Sequence, residues 1–117
     1  MKKSFFFIFS ITLFIIACSN KGNSLKTSLV DEAMAIADSV IDADDLLRYI
    51  ARYDSAGDER GELLIRQKYG TVMRNMSDFD MAVRQHDTCI QIATKQKDTL
   101  QLIIALNNQG TNFRRLG

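Results

Sequence analysis

His86 and Cys89, two side chains that commonly bind metals, stand three positions apart in the chain. On a helix this spacing would place an imidazole nitrogen and a thiol sulfur on one face. A structural zinc site needs four ligands, and a catalytic zinc site needs about three. The chain has no second histidine, and its other cysteine, Cys18, follows the apolar N-terminal run. We therefore expect His86 and Cys89 to pack inside a helical core, with no metal and no cofactor.

Other residue groups fall short of a catalytic or ligand-binding motif. The sequence around His86 lacks the histidine-acid-proline pattern of phosphotransfer helices. No Gly-Lys-Ser/Thr follows the glycines at Gly57 and Gly61, so they do not form a phosphate loop. Four aspartates near position 42 do not follow the alternating pattern of a calcium loop, and we interpret them as a solvated face: Asp38, Asp42, Asp44 and Asp45. The sequence predicts a protein that is not an enzyme.

The composition predicts a mostly helical chain without a nucleic-acid partner. The 117 residues include no proline, and 15 basic side chains face 14 acidic ones. A duplex-binding domain would normally show a basic excess clustered on one face. Cleavage before Cys18 would remove Lys2 and Lys3 and leave a small acidic excess. We therefore expect no nucleic acid among the partners.

The N-terminus is typical of a secretory leader. Lys2 and Lys3 precede an apolar run over 5–16, which is shorter than the roughly 20 residues that cross a bilayer. The run ends in Ile15-Ile16-Ala17-Cys18, which resembles a bacterial lipobox. The interpretation is a signal peptide over 1–17, lipidation of Cys18 and a flexible tether over 18–27. Two alternatives stay open: an uncleaved anchor helix, and an ordinary leader with an incidental cysteine.

The lipobox resemblance implies attachment to a membrane through lipid in the bacterial cell envelope. Ser19, Asn20 and Lys21 follow the cysteine, without the aspartate associated with retention at the inner membrane. We therefore expect a position on the outer membrane, facing the periplasm.

Apolar periodicity predicts five helices in the remaining chain. They cover 29–41, 44–53, 59–76, 79–97 and 99–116, with Ser77 and Asp98 as caps of the last two. Glu62 and Arg66 are expected to form an outward-facing ion pair. The buried face of the last helix is predicted to consist of its large apolar residues and one glycine: Ile103, Ile104, Leu106, Gly110, Phe113 and Leu116.

An internal echo divides the helices into repeats. The segment 70–77 recurs forty residues later as 110–117, with glycine, threonine, apolar residues and arginine in the same order. The correspondence extends back to Asp58 with Asp98 and Leu63 with Ile103. A fixed period of this kind is typical of repeat arrays, in which each unit buries its apolar face by stacking on a neighbour.

The echoed residues resemble the tetratricopeptide repeat (TPR). Its helical hairpin is matched by Tyr69-Gly70, Met73 and then Phe79, Ala82, His86 and Cys89; the first helix of the next repeat is matched by Gln109-Gly110 and Phe113. Departures include Gln109 in place of leucine and a period longer than the usual 34 residues. The resemblance implies an all-α fold over 28–117, with antiparallel hairpins stacked as a right-handed solenoid. It would be incomplete at the C-terminus, where the last repeat has only its first helix.

Lipobox and repeats together resemble TPR lipoproteins of Bacteroides type. That implies a membrane-tethered interaction module or scaffold, without catalytic activity of its own, that binds a protein or peptide partner. The contact surface would comprise outward-turned residues of the first helices, which could equally serve solubility alone: Arg66, Gln67, Arg74, Asn107, Asn112 and Arg114. The alternative is the N-terminal sensory segment of an envelope signalling protein, whose histidine kinase or transcriptional regulator domains would follow Gly117.

Overall fold

The structure is a computed structural model that describes residues 30–117. The predicted leader, the lipidation site Cys18 and the tether lie outside the described residues. Backbone contacts separate the chain into two units, Met1–Asp31 and Glu32–Gly117, and the four helices between residues 43 and 116 lie within the second. The described part is all-α, with five helices and no strand, as the sequence predicted.

Helix α1 covers residues 30–39 of the described part. It is followed by α2 (Ala43–Ser55), α3 (Glu59–Asn75), α4 (Phe79–Gln96) and α5 (Thr99–Leu116). Each predicted helix forms, and the described ends differ from the predicted ones by no more than two residues. None of the helices between residues 30 and 117 has the length and apolar character needed to cross a membrane.

Three turns of one design connect α2, α3, α4 and α5. Each contains a residue with positive φ followed by an aspartate: Gly57-Asp58, Ser77-Asp78 and Lys97-Asp98. The aspartate carboxylate accepts a hydrogen bond from the backbone N–H three residues later, at 3.0–3.1 Å. Its own N–H donates to a carbonyl five residues earlier, at 2.9–3.0 Å. One short segment thus ends a helix and begins the next, every 20 residues, so that a hairpin occupies 40.

The predicted helix caps are half right. Asp98 caps α5, as predicted. At the start of α4 the cap is Asp78 instead of Ser77, because Ser77 has a φ of 67° and belongs to the left-handed turn that ends α3. A capping residue needs a φ in the negative range, which Asp78 has.

Helices α2, α3, α4 and α5 pack against each other in chain order, and α3 also touches α5. Lys95 in the last turn of α4 contacts Glu59 in the first turn of α3, at 2.6 Å, so these helices run antiparallel. The side chains of Gln67 and Arg74 donate to the carbonyls of Gln101 and Asn108 on α5, each at 3.3 Å. Since both bonds connect residues 34 positions apart, α3 and α5 lie side by side in the same direction.

The apolar core follows the contacts between the helices. One cluster joins α3, α4 and α5 through four buried residues, Leu63, Cys89, Ala93 and Ala105. A second group of buried side chains lies in α1 and α2: Ala33, Ile36, Leu46, Ile50 and Tyr53. Gly61 explains how α2 approaches α3, because a Cβ there would lie 2.5 Å from Cδ1 of the Tyr53 ring. Glycine thus permits a helix contact that alanine would block.

The ion pair predicted on α3 forms, but it does not face outward. Arg66 Nε lies 2.7 Å from Glu62 Oε1, and Glu62 is buried. The arginine also donates through Nη1 to Gln85 Oε1 on α4, at 2.7 Å. The pair therefore belongs to the contact between α3 and α4.

Candidate functional site

A buried polar network surrounds His86 where α3, α4 and α5 meet. The ring has no solvent exposure and contacts both neighbouring helices. Its Nε2 lies 3.3 Å from the backbone oxygen of Gln67, and its Nδ1 lies 2.8 Å from Nδ2 of Asn112. A carbonyl oxygen only accepts and an amide nitrogen only donates, so Nε2 carries the proton and Nδ1 accepts. The arrangement selects a single neutral tautomer of the imidazole.

The surroundings of His86 also favour the neutral ring. Burial is the main factor that lowers the pKa of His86 below its ordinary value, and the positive charge of Arg74 lowers it further. The hydrogen bond to the Gln67 carbonyl acts in the opposite direction. Since both ring nitrogens have protein partners, His86 offers no free nitrogen to an incoming ligand or phosphoryl group.

The network extends from His86 through α5. Asn112 accepts a hydrogen bond from Arg74 Nη1 at 3.1 Å and donates to Gln109 Oε1 at 2.9 Å. Gln109 in turn donates to the backbone oxygen of Val83 on α4, at 3.0 Å. These bonds satisfy the polar atoms that helix packing removes from water. Gln109 and Asn112 were missed as network members, although polar residues three apart at inner helix positions are a usable signal.

Cys89 lies one turn beyond His86 and is fully buried. Its Sγ lies 3.8 Å from the backbone oxygen of Leu63, the acceptor of its S–H. Burial raises the pKa of the Cys89 thiol to about 12, so the reactive thiolate is rare near neutral pH. Both His86 and Cys89 are core residues, as the sequence predicted. Residues 30–117 contain no group of three or more histidine, cysteine or acidic side chains suited to a metal ion.

The six residues predicted as a contact surface do not lie on one face. Asn107 and Arg114 are exposed, whereas Arg66 and Arg74 are half-buried and hydrogen-bonded to protein partners. The prediction that they are outward-turned is wrong for Gln67 and Asn112, which are buried. The reason is the side-by-side packing of α3 and α5, which places polar residues of the two first helices against each other.

The repeat-signature residues divide in the same way. Tyr69, Gly70 and Ala82 are buried, and Phe79 is half-buried at the start of α4. Gly110 and Phe113 on α5 are exposed, Phe113 by 56%. The signature is therefore packed in the hairpin of α3 and α4 but not in α5.

The apolar face predicted to be buried on α5 instead faces solvent. The helix packs on α4 through a different stripe: Leu102, Ala105, Gln109 and Asn112. The predicted residues lie away from α4 and are exposed: Ile103, Ile104, Leu106, Gly110, Phe113 and Leu116. We use the term outer face of α5 for Ile103, Leu106, Asn107, Gly110, Phe113 and Arg114. It contains three exposed large apolar side chains, Ile103, Leu106 and Phe113, on one side of a single helix.

Comparison of the chain with protein-family models, with curated proteins and with solved structures found no match. The described residues by themselves define an all-α protein of packed antiparallel helices, with a hydrogen-bonded polar network around His86 and an exposed apolar face on α5.

Proposed function

We propose that this protein is a lipid-anchored helical-repeat module of the TPR type that binds a protein partner and has no catalytic activity of its own. One observation carries the proposal: α3 and α5 lie side by side in the same direction, with α4 packed against both. Stacking of equivalent first helices is the contact through which repeat arrays grow. We extend it to a right-handed solenoid of hairpins.

The chemistry inside the fold supports a binding role over a catalytic one. The imidazole of His86 and the thiol of Cys89 are the side chains best suited to catalysis, and both are buried with protein partners. Catalysis requires a reactive group that can reach its substrate. The surface of α5, in contrast, exposes the apolar side chains of Ile103, Leu106 and Phe113, which suit contact with another protein.

The anchor part of the proposal comes from the sequence alone. Lipid on Cys18 would hold the module at the bacterial outer membrane, facing the periplasm. Several acyl chains on one cysteine would give stable attachment, since a single chain binds only marginally.

Site-specific photo-crosslinking in the native host tests the binding role. A photoreactive amino acid is placed singly at three exposed positions on different surfaces: Arg48, Gln91 and Asn107. We expect a discrete protein adduct from at least one position, absent without irradiation. No adduct from any position, in variants that accumulate and remain folded, would reject a protein-binding function.

Metabolic labelling with an alkyne fatty acid tests the anchor separately. We expect labelled wild-type protein in the outer-membrane fraction and no label on the Cys18→Ala variant. Equal labelling of both proteins would reject lipidation at this residue.

A further inference from the structure

We propose that the outer face of α5 binds an amphipathic helix supplied by a partner protein, packed antiparallel to α5 as α4 packs on α3. The inference rests on the proposed binding function and names both its surface and the chemistry of its partner. The chain already contains one occupied copy of this surface.

The occupied copy is the face of α3 that meets α4. Forty residues separate Leu63 from Ile103 and Met73 from Phe113. On α3, Leu63 is fully buried and Met73 nearly so, whereas Ile103 and Phe113 on α5 are exposed by 59% and 56%. Equivalent apolar residues therefore occupy equivalent helix positions, with a helix over one set only.

The glycine at the centre of each face shows which kind of side chain a covering helix places there. A Cβ on Gly70 would lie 2.7 Å from Cε1 and from Nε2 of the His86 ring, so the ring rests directly on the α3 backbone. A Cβ on Gly110 would meet nothing within 4 Å. Gly110 thus leaves a hollow on α5 that corresponds to the one at Gly70 on α3, where the flat His86 ring fills it.

The backbone beside each glycine is also equivalent. The Thr71 hydroxyl donates to the Gln67 carbonyl at 3.1 Å, and the Thr111 hydroxyl donates to the Asn107 carbonyl at 3.1 Å. On α3 the same carbonyl also accepts from His86 Nε2. The partner helix should therefore carry a ring with an N–H donor over Gly110. Small residues should flank that ring, as Ala82 and Cys89 flank His86.

Charge complementarity gives the direction of the partner helix and distinguishes it from a second copy. Helix α5 contains no acidic residue, and Arg114 and Arg115 lie exposed in its last turn. A helix antiparallel to α5 would begin beside these arginines, as α4 begins beside the end of α3 with Asp78 and Asp80. Carboxylates in its first turn would meet both the arginines and its own helix dipole. The outer face of a second α5 has no carboxylate to offer, which favours a different protein.

The probe for this surface is a fluorescent peptide with the sequence of residues 78–97, which contains α4. We expect saturable binding to the full chain, measured by fluorescence anisotropy. The Gly110→Leu substitution fills the hollow and should weaken binding at least tenfold. The matched control Gln91→Leu adds the same side chain at an exposed site on α4 and should leave binding unchanged. A peptide carrying Asp78→Asn and Asp80→Asn should bind less tightly, with a smaller salt dependence.

Three results would overturn the proposal. The first is the absence of saturable binding, and the second is equal binding by the Leu substitutions at positions 110 and 91. The third is that Gly110→Leu abolishes self-association of the chain, or its adsorption to phosphatidylglycerol vesicles, and that the peptide inhibits neither process. That result would assign the face to a second copy or to lipid. Photo-adducts that persist at Arg48 or Gln91 would then show that the binding function stands and that only this docking surface is wrong.

Discussion

Helices α3 and α5 carry similar residues at positions forty apart, yet they meet very different surroundings. Helix α3 lies between α2 and α4 and buries both sides. Helix α5 packs on α4, with a small contact to α3, and exposes Ile103, Leu106 and Phe113. A hydrophobic stripe therefore shows that a helix is able to pack on a neighbour. Whether the stripe is buried depends on where the neighbouring helix lies.

The two sides of α5 extend this lesson. The side that packs combines Leu102 with Ala105, Gln109 and Asn112, which are small or polar, while most of the larger apolar residues face solvent. Close approach of α4 suits a small residue such as Ala105, and the polar residues complete the bonds around His86. The most apolar side of a helix is thus not necessarily the side that its nearest neighbour covers.

Alanine substitutions at Leu63 and Ile103 should separate the two faces most clearly. Leu63→Ala removes a fully buried side chain and should lower the free energy of unfolding by about 3 kcal/mol. Ile103→Ala removes an exposed one and should change it by less than about 0.5 kcal/mol. Urea denaturation followed by circular dichroism measures both. Similar losses in the two variants would mean that another part of the protein covers the outer face of α5.

The two glycines should respond to alanine with opposite signs. Gly70→Ala drives a methyl group into the buried His86 ring and should cost about 2 kcal/mol. Gly110→Ala meets open space and should stabilise the helix by about 1 kcal/mol, because alanine favours helix more than glycine does. The same denaturation experiment applies, with the wild type between the two variants. Destabilisation by Gly110→Ala would indicate that the hollow is already filled.

Much of this fold could be predicted because its signals are local. An aspartate before an apolar-periodic segment identified the start of α5 at Asp98, and the 3.6-residue spacing of Ala82, His86 and Cys89 identified the inner side of α4. Both signals depend on the nearest turn of helix only. The 20-residue recurrence of the turns at Asp58, Asp78 and Asp98 was equally available in the sequence.

The candidate site was less predictable because it depends on which helices become neighbours. Gln67 and Asn112 are polar and were expected at the surface, but the side-by-side packing of α3 and α5 buries them. Ile103 and Phe113 are apolar and were expected inside, but no packed helix of the described part reaches them. Side-chain polarity identifies which groups need a partner, whereas the identity of that partner is a tertiary property.

The pH dependence of stability should report on the site where the His86 ring of α4 contacts α3 and α5. Folding lowers the pKa of His86 below its ordinary value of 6.5. Below pH 6.5, the unfolded chain therefore binds a proton at this residue more readily than the folded protein does. The free energy of unfolding should therefore fall as the pH drops from 6.5 towards the lowered folded pKa, by at most about 1.4 kcal/mol for each pH unit.

NMR titration tests this directly, because His86 is the only histidine in the chain. Its ring resonances should titrate below pH 6.5 in the folded protein. A folded pKa at or above the ordinary value would show that the ring is hydrated, and that the contact with Gly70 is looser than described.

The turn before α3 and the turn after α4 allow the smallest effect to be measured. Lys97 has a φ of 56° and Gly57 a φ of 68°, so a lysine occupies a left-handed position of the kind that glycine holds before α3. Left-handed backbone costs about 1–2 kcal/mol in residues with a Cβ, and the greater freedom of unfolded glycine offsets part of any gain. Lys97→Gly should therefore stabilise the protein by about 0.5–1 kcal/mol, and Gly57→Ala should destabilise it by a similar amount. Thermal denaturation of both variants makes the comparison.

Because a Cβ on Gly57 meets nothing within 4 Å, a loss of stability in Gly57→Ala can come only from the backbone. If Lys97→Gly were destabilising, the lysine side chain would have to contribute contacts at this turn that outweigh the strain.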